Sequence, residues 1–171
     1  MALDFSKKSD VLFLDLVNTK ATRALAANEV TIGAPGAGTA GGKNTTVHLT
    51  AVADAVNLKG EADFHFDRLD LTALFAGHTL SVEVVDGIDS ALEIAAVLNA
   101  KFGLNISELD IEDIAIDVPN EPASITLTAL ASSLVYTGSV EVALTYPKDD
   151  LNTLMGDGVA EGFEQPTLTE A

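Results

Sequence analysis

Three groups of residues have types and spacings that chemistry can use. The first is the glycine-rich stretch Gly33-Ala34-Pro35-Gly36-Ala37-Gly38-Thr39-Ala40-Gly41-Gly42-Lys43-Asn44. Gly36, Gly38 and Gly41 fit G-x-G-x-x-G, the spacing that lets a backbone approach a pyrophosphate. That site needs a helix to open behind the last glycine, so that its free N–H groups meet the phosphates. Thr45-Thr46-Val47-His48-Leu49 follows instead, an alternating strand pattern. The stretch also fails as a Walker-type loop: Ala37 stands at the first glycine position and Asn44 where Ser or Thr must bind magnesium. It reads as a surface loop or contact arm. Gly36, Gly38, Lys43 and Asn44 are its candidate assembly contacts, joined by Phe163 near the C-terminus.

The second group is His48 and His65, which the spacing places opposite each other in one hairpin, with Asp63 and Asp67 on the face of His65. Zinc needs at least a third ligand in a fixed tetrahedron, and exposed polar positions on a sheet account for these residues without one. The third is the acidic run Glu108, Asp110, Glu112, Asp113 and Asp117. It lacks the D-x-[DN]-x-[DN]-G order of a calcium loop and reads as a solvated edge that discourages strand-to-strand aggregation. The serines and threonines include no G-x-S-x-G elbow, and no His is set apart as their base. No catalytic, cofactor-binding or metal-ligating residue is assigned, and the chain is expected to be no enzyme.

The composition agrees with a scaffold. The 171 residues contain nine Lys and Arg against 26 Asp and Glu, a net charge of −17. That charge repels phosphate backbones and anionic membranes and favours solubility, so neither nucleic acid nor membrane is an expected partner. There is no Cys and no Trp, and aromatics make up 5%. The core must be built from Val, Ile, Leu and Ala, and disulfides and thiolate sites are excluded. The N-terminus carries Lys7 and Lys8 before an apolar stretch, but Asp15 interrupts it and no small-residue cleavage site follows, so it reads as a helix of the fold rather than a secretion signal.

The elements that position these residues occur twice. Leu49-Thr50-Ala51-Val52-Ala53 returns as Leu127-Thr128-Ala129-Leu130-Ala131, at an offset of 78 residues. Upstream, Asn18, Leu25, Glu29 and Val30 meet Asn99, Ile106, Asp110 and Ile111 at an offset of 81, the difference absorbed in the glycine-rich loop. Two blocks in the same order indicate a tandem duplication. Helical spacing predicts a helix over about 10–25 with Ser9 as its cap. A second helix opens at a Ser90–Glu93 capping box, carries the stripe Ala91, Ile94, Leu98 and Phe102, and ends at Gly103. Period-two alternation predicts strands over 46–51, 62–67, 124–129 and 139–145, with shorter ones at 30–32, 80–84 and 111–118. The fold class is therefore α+β, two copies of a small two-layer unit with one helix on a mainly antiparallel sheet. The expected divisions are 1–78, 79–146 and an acidic C-terminal arm over 147–171. Units this small are marginal alone and should pack together or against neighbours.

Read as a whole, the repeat resembles virion structural proteins of large tailed bacteriophages. The matching features are Ile94-Ala95-Ala96-Val97-Leu98-Asn99-Ala100-Lys101-Phe102-Gly103-Leu104-Asn105-Ile106, Asp110-Ile111, Thr126-Leu127-Thr128-Ala129, Ser133-Leu134-Val135-Tyr136-Thr137-Gly138-Ser139-Val140 and, in the first copy, Phe66-Asp67-Arg68-Leu69-Asp70-Leu71. They span about residues 10–146; the arm from Pro147 and the Lys59-Gly60 pair fall outside the pattern. The resemblance implies a particle component without activity or cofactor, assembled in the host cytoplasm and located in the virion. It would be an accessory or decorating subunit of capsid or tail whose partners are other virion subunits. The alternative is an adhesion module of the particle that binds a host surface or carbohydrate, against which the scarcity of aromatic side chains counts.

Overall fold

The computed structural model of the protein describes residues 3–38, 40–148 and 154–155. Helix α1 (Ser9–Asn18) is followed by strands β1 (Val30–Ile32), β2 (Gly36–Ala37), β3 (Thr45–Ala51), β4 (Glu61–Phe66) and β5 (Leu69–Asp70), then the single-turn helix α2 (Leu71–Leu74). The second half contains β6 (Ser81–Glu83), helix α3 (Ala91–Phe102), a 3-10 turn (Val118–Asn120), β7 (Ser124–Thr128), β8 (Tyr136–Thr137) and β9 (Ser139–Thr145). The fold is mixed α+β.

In the first half β3 is the central strand. It pairs antiparallel with β4 on one side and with β1 and β2, in succession, on the other. Val47 and Leu49 point inward between outward His48 and Thr50, the alternation of a sheet wet on one face. Phe13 and Val17 of α1 cover the inward face with Val47, Leu49 and Phe66. In the second half β9 is central, antiparallel to β7 and parallel to β6. Helix α3 lies on that sheet, with Ala91, Ile94, Ala95 and Leu98 wholly buried. Gly103 ends it at φ 68°, the left-handed conformation that a C-cap requires.

Several hydrogen bonds recur in both halves at the offsets seen in the sequence. The Asn18 side chain closes on Leu25 (Oδ1 accepts from Leu25 N at 2.8 Å, Nδ2 donates to Leu25 O at 3.1 Å), and Asn99 does the same to Ile106 at 2.9 and 2.8 Å. Val52 N donates to Glu29 O, and Leu130 N to Asp110 O. Ala51 N donates to Gly60 O, and Ala129 N to Gly138 O, each at 2.9 Å. The pairing of Val30 with Ala51 has its counterpart in the bridge of Ile111 to Ala129.

The two halves pack as one body. Leu12 of α1, with Leu71 and Phe75 around α2, is buried in the cluster built on α3 and β6–β9. Leu134 packs against both clusters.

Four local expectations need correction. Helix α1 stops at Asn18 rather than near 25, and the chain beyond it returns so that Leu25 meets the Asn18 side chain. Its cap is Lys8, and Ser9 is the first helical residue, with its hydroxyl used elsewhere. Glu93 reaches back to Asp89 N (2.7 Å) and Ser90 Oγ (3.2 Å), but the Ser90 side chain caps no helix N–H. Residues 111–118 form no strand among the described residues, only isolated bridges at Ile111 and Ala115.

Candidate functional site at the two hairpin tips

The residues singled out for chemistry are largely engaged in holding the fold. His48 and His65 do not face each other: the register sets His48 against Asp63 and Thr46 against His65. The observed register centres the hairpin between Ala55 and Val56, whereas a His48–His65 pair would centre it between Val56 and Asn57. His48 Nδ1 lies 2.8 Å from Asp63 and Nε2 lies 3.3 Å from Glu61. The hydrogen bond to Asp63, then that to Glu61, holds this imidazole above its ordinary pKa. His65 Nδ1 bonds Thr46 Oγ1 at 2.8 Å, and His78 packs edge-on to Phe102. Among the described residues no group of three or more His, Asp or Glu is placed to hold a metal ion.

The glycine-rich loop lies at the surface and is tied back to the chain near its end. Gly36 lies in edge strand β2, exposed. Gly38 N donates to Asn44 O, and a Cβ on Gly38 would lie 1.8 Å from Lys43 O, so this close crossing admits only glycine. Lys43 pairs with Asp67 at 2.7 Å. Asn44 accepts from Arg68 N and donates to Arg68 O, while its own N–H reaches Asp67. Lys43 and Asn44, expected as assembly contacts, thus have partners within the chain. Phe163 lies outside the described residues.

What those bonds position is Arg68. Its Nη1 donates to the carbonyls of Ala131 (3.1 Å) and Ser133 (3.0 Å), and Nε to Thr45 Oγ1. Burial holds the guanidinium below its usual pKa without threatening its charge. Beside it, Leu69 N donates to Val135 O, and β5 runs parallel to β8. Thr72 Oγ1 donates to Ser139 O at 2.6 Å. The β3–β4 half thereby grips the tip of the second hairpin, residues 130–138.

A buried carboxylate holds the same tip from the other side. Asp110 is fully buried and accepts from Ser133 Oγ at 2.8 Å, Ser107 N and Oγ at 3.1 Å each, and Ser9 Oγ at the start of α1. Ser133 Oγ in turn accepts from Tyr136 N at 3.1 Å. One carboxylate therefore joins the first helix to the second hairpin. The Tyr136 hydroxyl beside it is buried with no hydrogen-bond partner, and burial, then the Asp110 charge, pushes it up to about 12.

The first hairpin has the same tip without the grip. Glu29 stands where Asp110 stands, but it faces solvent-exposed Arg23, which it binds through both oxygens at 3.1 Å. Ala55 and Val56 replace Ser133 and Leu134. Val56 is 92% exposed, the most exposed large hydrophobic residue among those described. A Cβ on Gly60 would meet nothing, whereas one on Gly138 would lie 2.2 Å from Asp70 Oδ2. Arg23, Asn28, Glu29, Val52, Asp54 and Val56 are among the residues that line an open concavity of ≈ 500 Å³ there. The sequence marks Val56 and Leu134 as equivalent; only the packing separates a docked tip from a bare one.

Residues 2–170 match the sequence profile described as a family of unknown function, DUF7941. The chain belongs to the DUF7941 family. No curated protein and no solved structure matches it. For this DUF7941 member, then, the geometry of the tips carries the functional argument. No helix of the described residues is long and apolar enough to cross a membrane.

Proposed function

We propose that this chain is a non-enzymatic structural subunit of a tailed-bacteriophage particle, an accessory or decorating component of capsid or tail that works through protein–protein interfaces. Its partners are other virion subunits, and it is the product of a tandem duplication. The observation that carries the reading is the pair of equivalent hairpin tips, one clamped by Arg68 and Asp110 and the other bare, with Val56 presented to solvent. A duplicated unit offers two related surfaces, and one used inside the chain leaves its twin for a neighbour. The diversion of His48, Lys43 and Asn44 into ion pairs and turn bonds fits a scaffold. The phage assignment rests on the sequence resemblance described above. The test is cosedimentation of the purified chain with particles of the phage that carries its gene, stripped of this protein. Saturable binding to the particles is expected; a chain left in the supernatant at every concentration overturns the proposal.

A further inference from the structure

We propose that the C-terminal arm of one copy of this chain docks on the first half of the next, at the open edge of β4 beside Gly60, so that copies associate head to tail. The inference deepens the structural-subunit reading and rests on it. Its warrant is that the chain already contains the same contact once. The segment that follows the first hairpin crosses to the second half and seals the edge of β9. There β5 pairs with β8, Asp70 lies against Gly138, Thr72 Oγ1 donates to Ser139 O, and β6 pairs with β9. Leu71 and Phe75 of that segment are 0% and 4% exposed. The segment that follows the second hairpin repeats it. At an offset of 80 residues, Asp150, Leu151 and Leu154 are identical to Asp70, Leu71 and Leu74, Met155 stands for Phe75 and Lys148 for Arg68. Leu154 and Met155 are helical, yet 65% and 61% exposed, so Met155 is not seated on its own chain as Phe75 is.

The seat that this arm fits is open. Among the described residues no strand pairs with the outer side of β4, the side that corresponds to the β6 side of β9. An apolar concavity of ≈ 130 Å³ lies beside Gly60, lined by Leu25, Val30, Leu49, Leu58 and Ala62. At the offsets of 78 and 81 residues, the first four correspond to Ile106, Ile111, Leu127 and Tyr136, each at most 3% exposed in the cluster that contains Leu71 and Phe75. A Cβ on Gly60 would meet nothing, so no described residue stands there as Asp70 stands at Gly138. The arm supplies the missing parts in order. Leu151 enters the concavity as Leu71 does, and the Asn152 side chain donates to Glu61 O, the backbone acceptor that corresponds to Ser139 O. Asp150 meets Lys59, which replaces Thr137 and has no ion pair among the described residues. The packing of Phe75 on Phe102 becomes that of Met155, a more pliable side chain, on Ala21. Arm and seat are different surfaces, so the contact is heterologous and each copy keeps one of each free after pairing. Rings or filaments follow, depending on whether the rotation closes.

The test is sedimentation velocity of the full chain across a concentration series, with Met155→Asp in the arm and Ala62→Glu at the seat measured alone and mixed. The wild type should grow in size with concentration. Each variant alone should need at least about ten times more protein to associate, since a charge buried in the contact costs more than the tenfold equivalent. Mixed in equal amounts, the variants should form a one-to-one dimer and nothing larger, because the intact seat of M155D meets the intact arm of A62E. Lys59→Asp, at an exposed position, tests the seat if A62E melts early by circular dichroism. It should weaken association about threefold, and Asp150→Lys on the same chain should restore it. A wild type that stays monomeric, an M155D chain that associates as the wild type does, a K59D defect that D150K leaves unrestored, or a mixture of folded variants that yields no dimer each overturns the proposal. A wild-type monomer that still cosediments with particles overturns this inference alone and leaves the structural-subunit reading standing.

Discussion

Replacing Asp110 tests whether one buried carboxylate binds the halves together. In Asp110→Ala the carboxylate is lost from a fully buried site that accepts bonds from Ser9, Ser133 and Ser107. The Ser9 and Ser133 hydroxyls, 3% and 0% exposed, are left without that acceptor. Hydrogen bonds to a charged group contribute about 1.5–3 kcal/mol each, and an orphaned buried hydroxyl costs about 1–3 kcal/mol. These terms overlap, so the expected loss is about 3–5 kcal/mol, about a fifth or more of a typical domain's stability of about 5–15 kcal/mol. Asp110→Asn keeps the shape but turns one oxygen into a donor that faces donors, and should lose about half as much. Urea unfolding followed by circular dichroism reads both. A cycle with Ser9→Ala adds the link between halves: S9A should cost about 1.5–3 kcal/mol in the wild type and close to nothing in D110A. A D110A loss below about 1 kcal/mol, or S9A and D110A effects that simply add, would refute the assignment of Asp110 as the junction.

Three further outcomes follow from the contrast between the tips and from the charged face of the first sheet. Leu134→Ala should destabilise by about 2–3 kcal/mol because Leu134 packs on both clusters, whereas Val56→Ala should change thermal stability hardly at all. Gly60→Ala carries only the left-handed backbone penalty of about 1–2 kcal/mol; Gly138→Ala must also displace the Asp70 carboxylate and should cost clearly more in the same denaturation assay. His48 has its folded pKa raised by Asp63 and Glu61 above an unfolded value of about 6.5, so its contribution is complete below that pH and fades as pH rises through the folded value. NMR titration should place His48 above an unpaired histidine, and Asp63→Asn should lower it; an unchanged midpoint in D63N would contradict the pairing.

Helix α3 was legible because stripe, start and left-handed stop agree on one element. The hairpin strands were legible because period-two alternation survives in Val47, Leu49, Val142 and Leu144. Helix α1 is shorter than its apolar spacing predicts: that spacing continues past residue 18, but the chain turns back there and brings Leu25 to the Asn18 side chain. The register of β3 and β4 differs by two residues from a His48–His65 pairing, and a two-residue shift keeps every side chain on its face, so alternation does not distinguish the two. The parallel partnership of β6 with β9 joins segments about sixty residues apart and depends on packing alone. The candidate site was hardest to find. Lys43, Asn44 and Gly38 look like a free loop in sequence, and Arg68, which they help to place, has no motif. The sequence match also treats Val56 and Leu134 alike, whereas Leu134 packs on both clusters and Val56 is exposed.

Quantitative mass spectrometry of gradient-purified tailed-phage particles, from a lysate in which the chain is made, tests the proposed role most directly. The account predicts the chain in the particle fraction at a fixed copy number per particle, retained through washing. Its absence from particles, with the protein abundant and free in the lysate, would contradict the account.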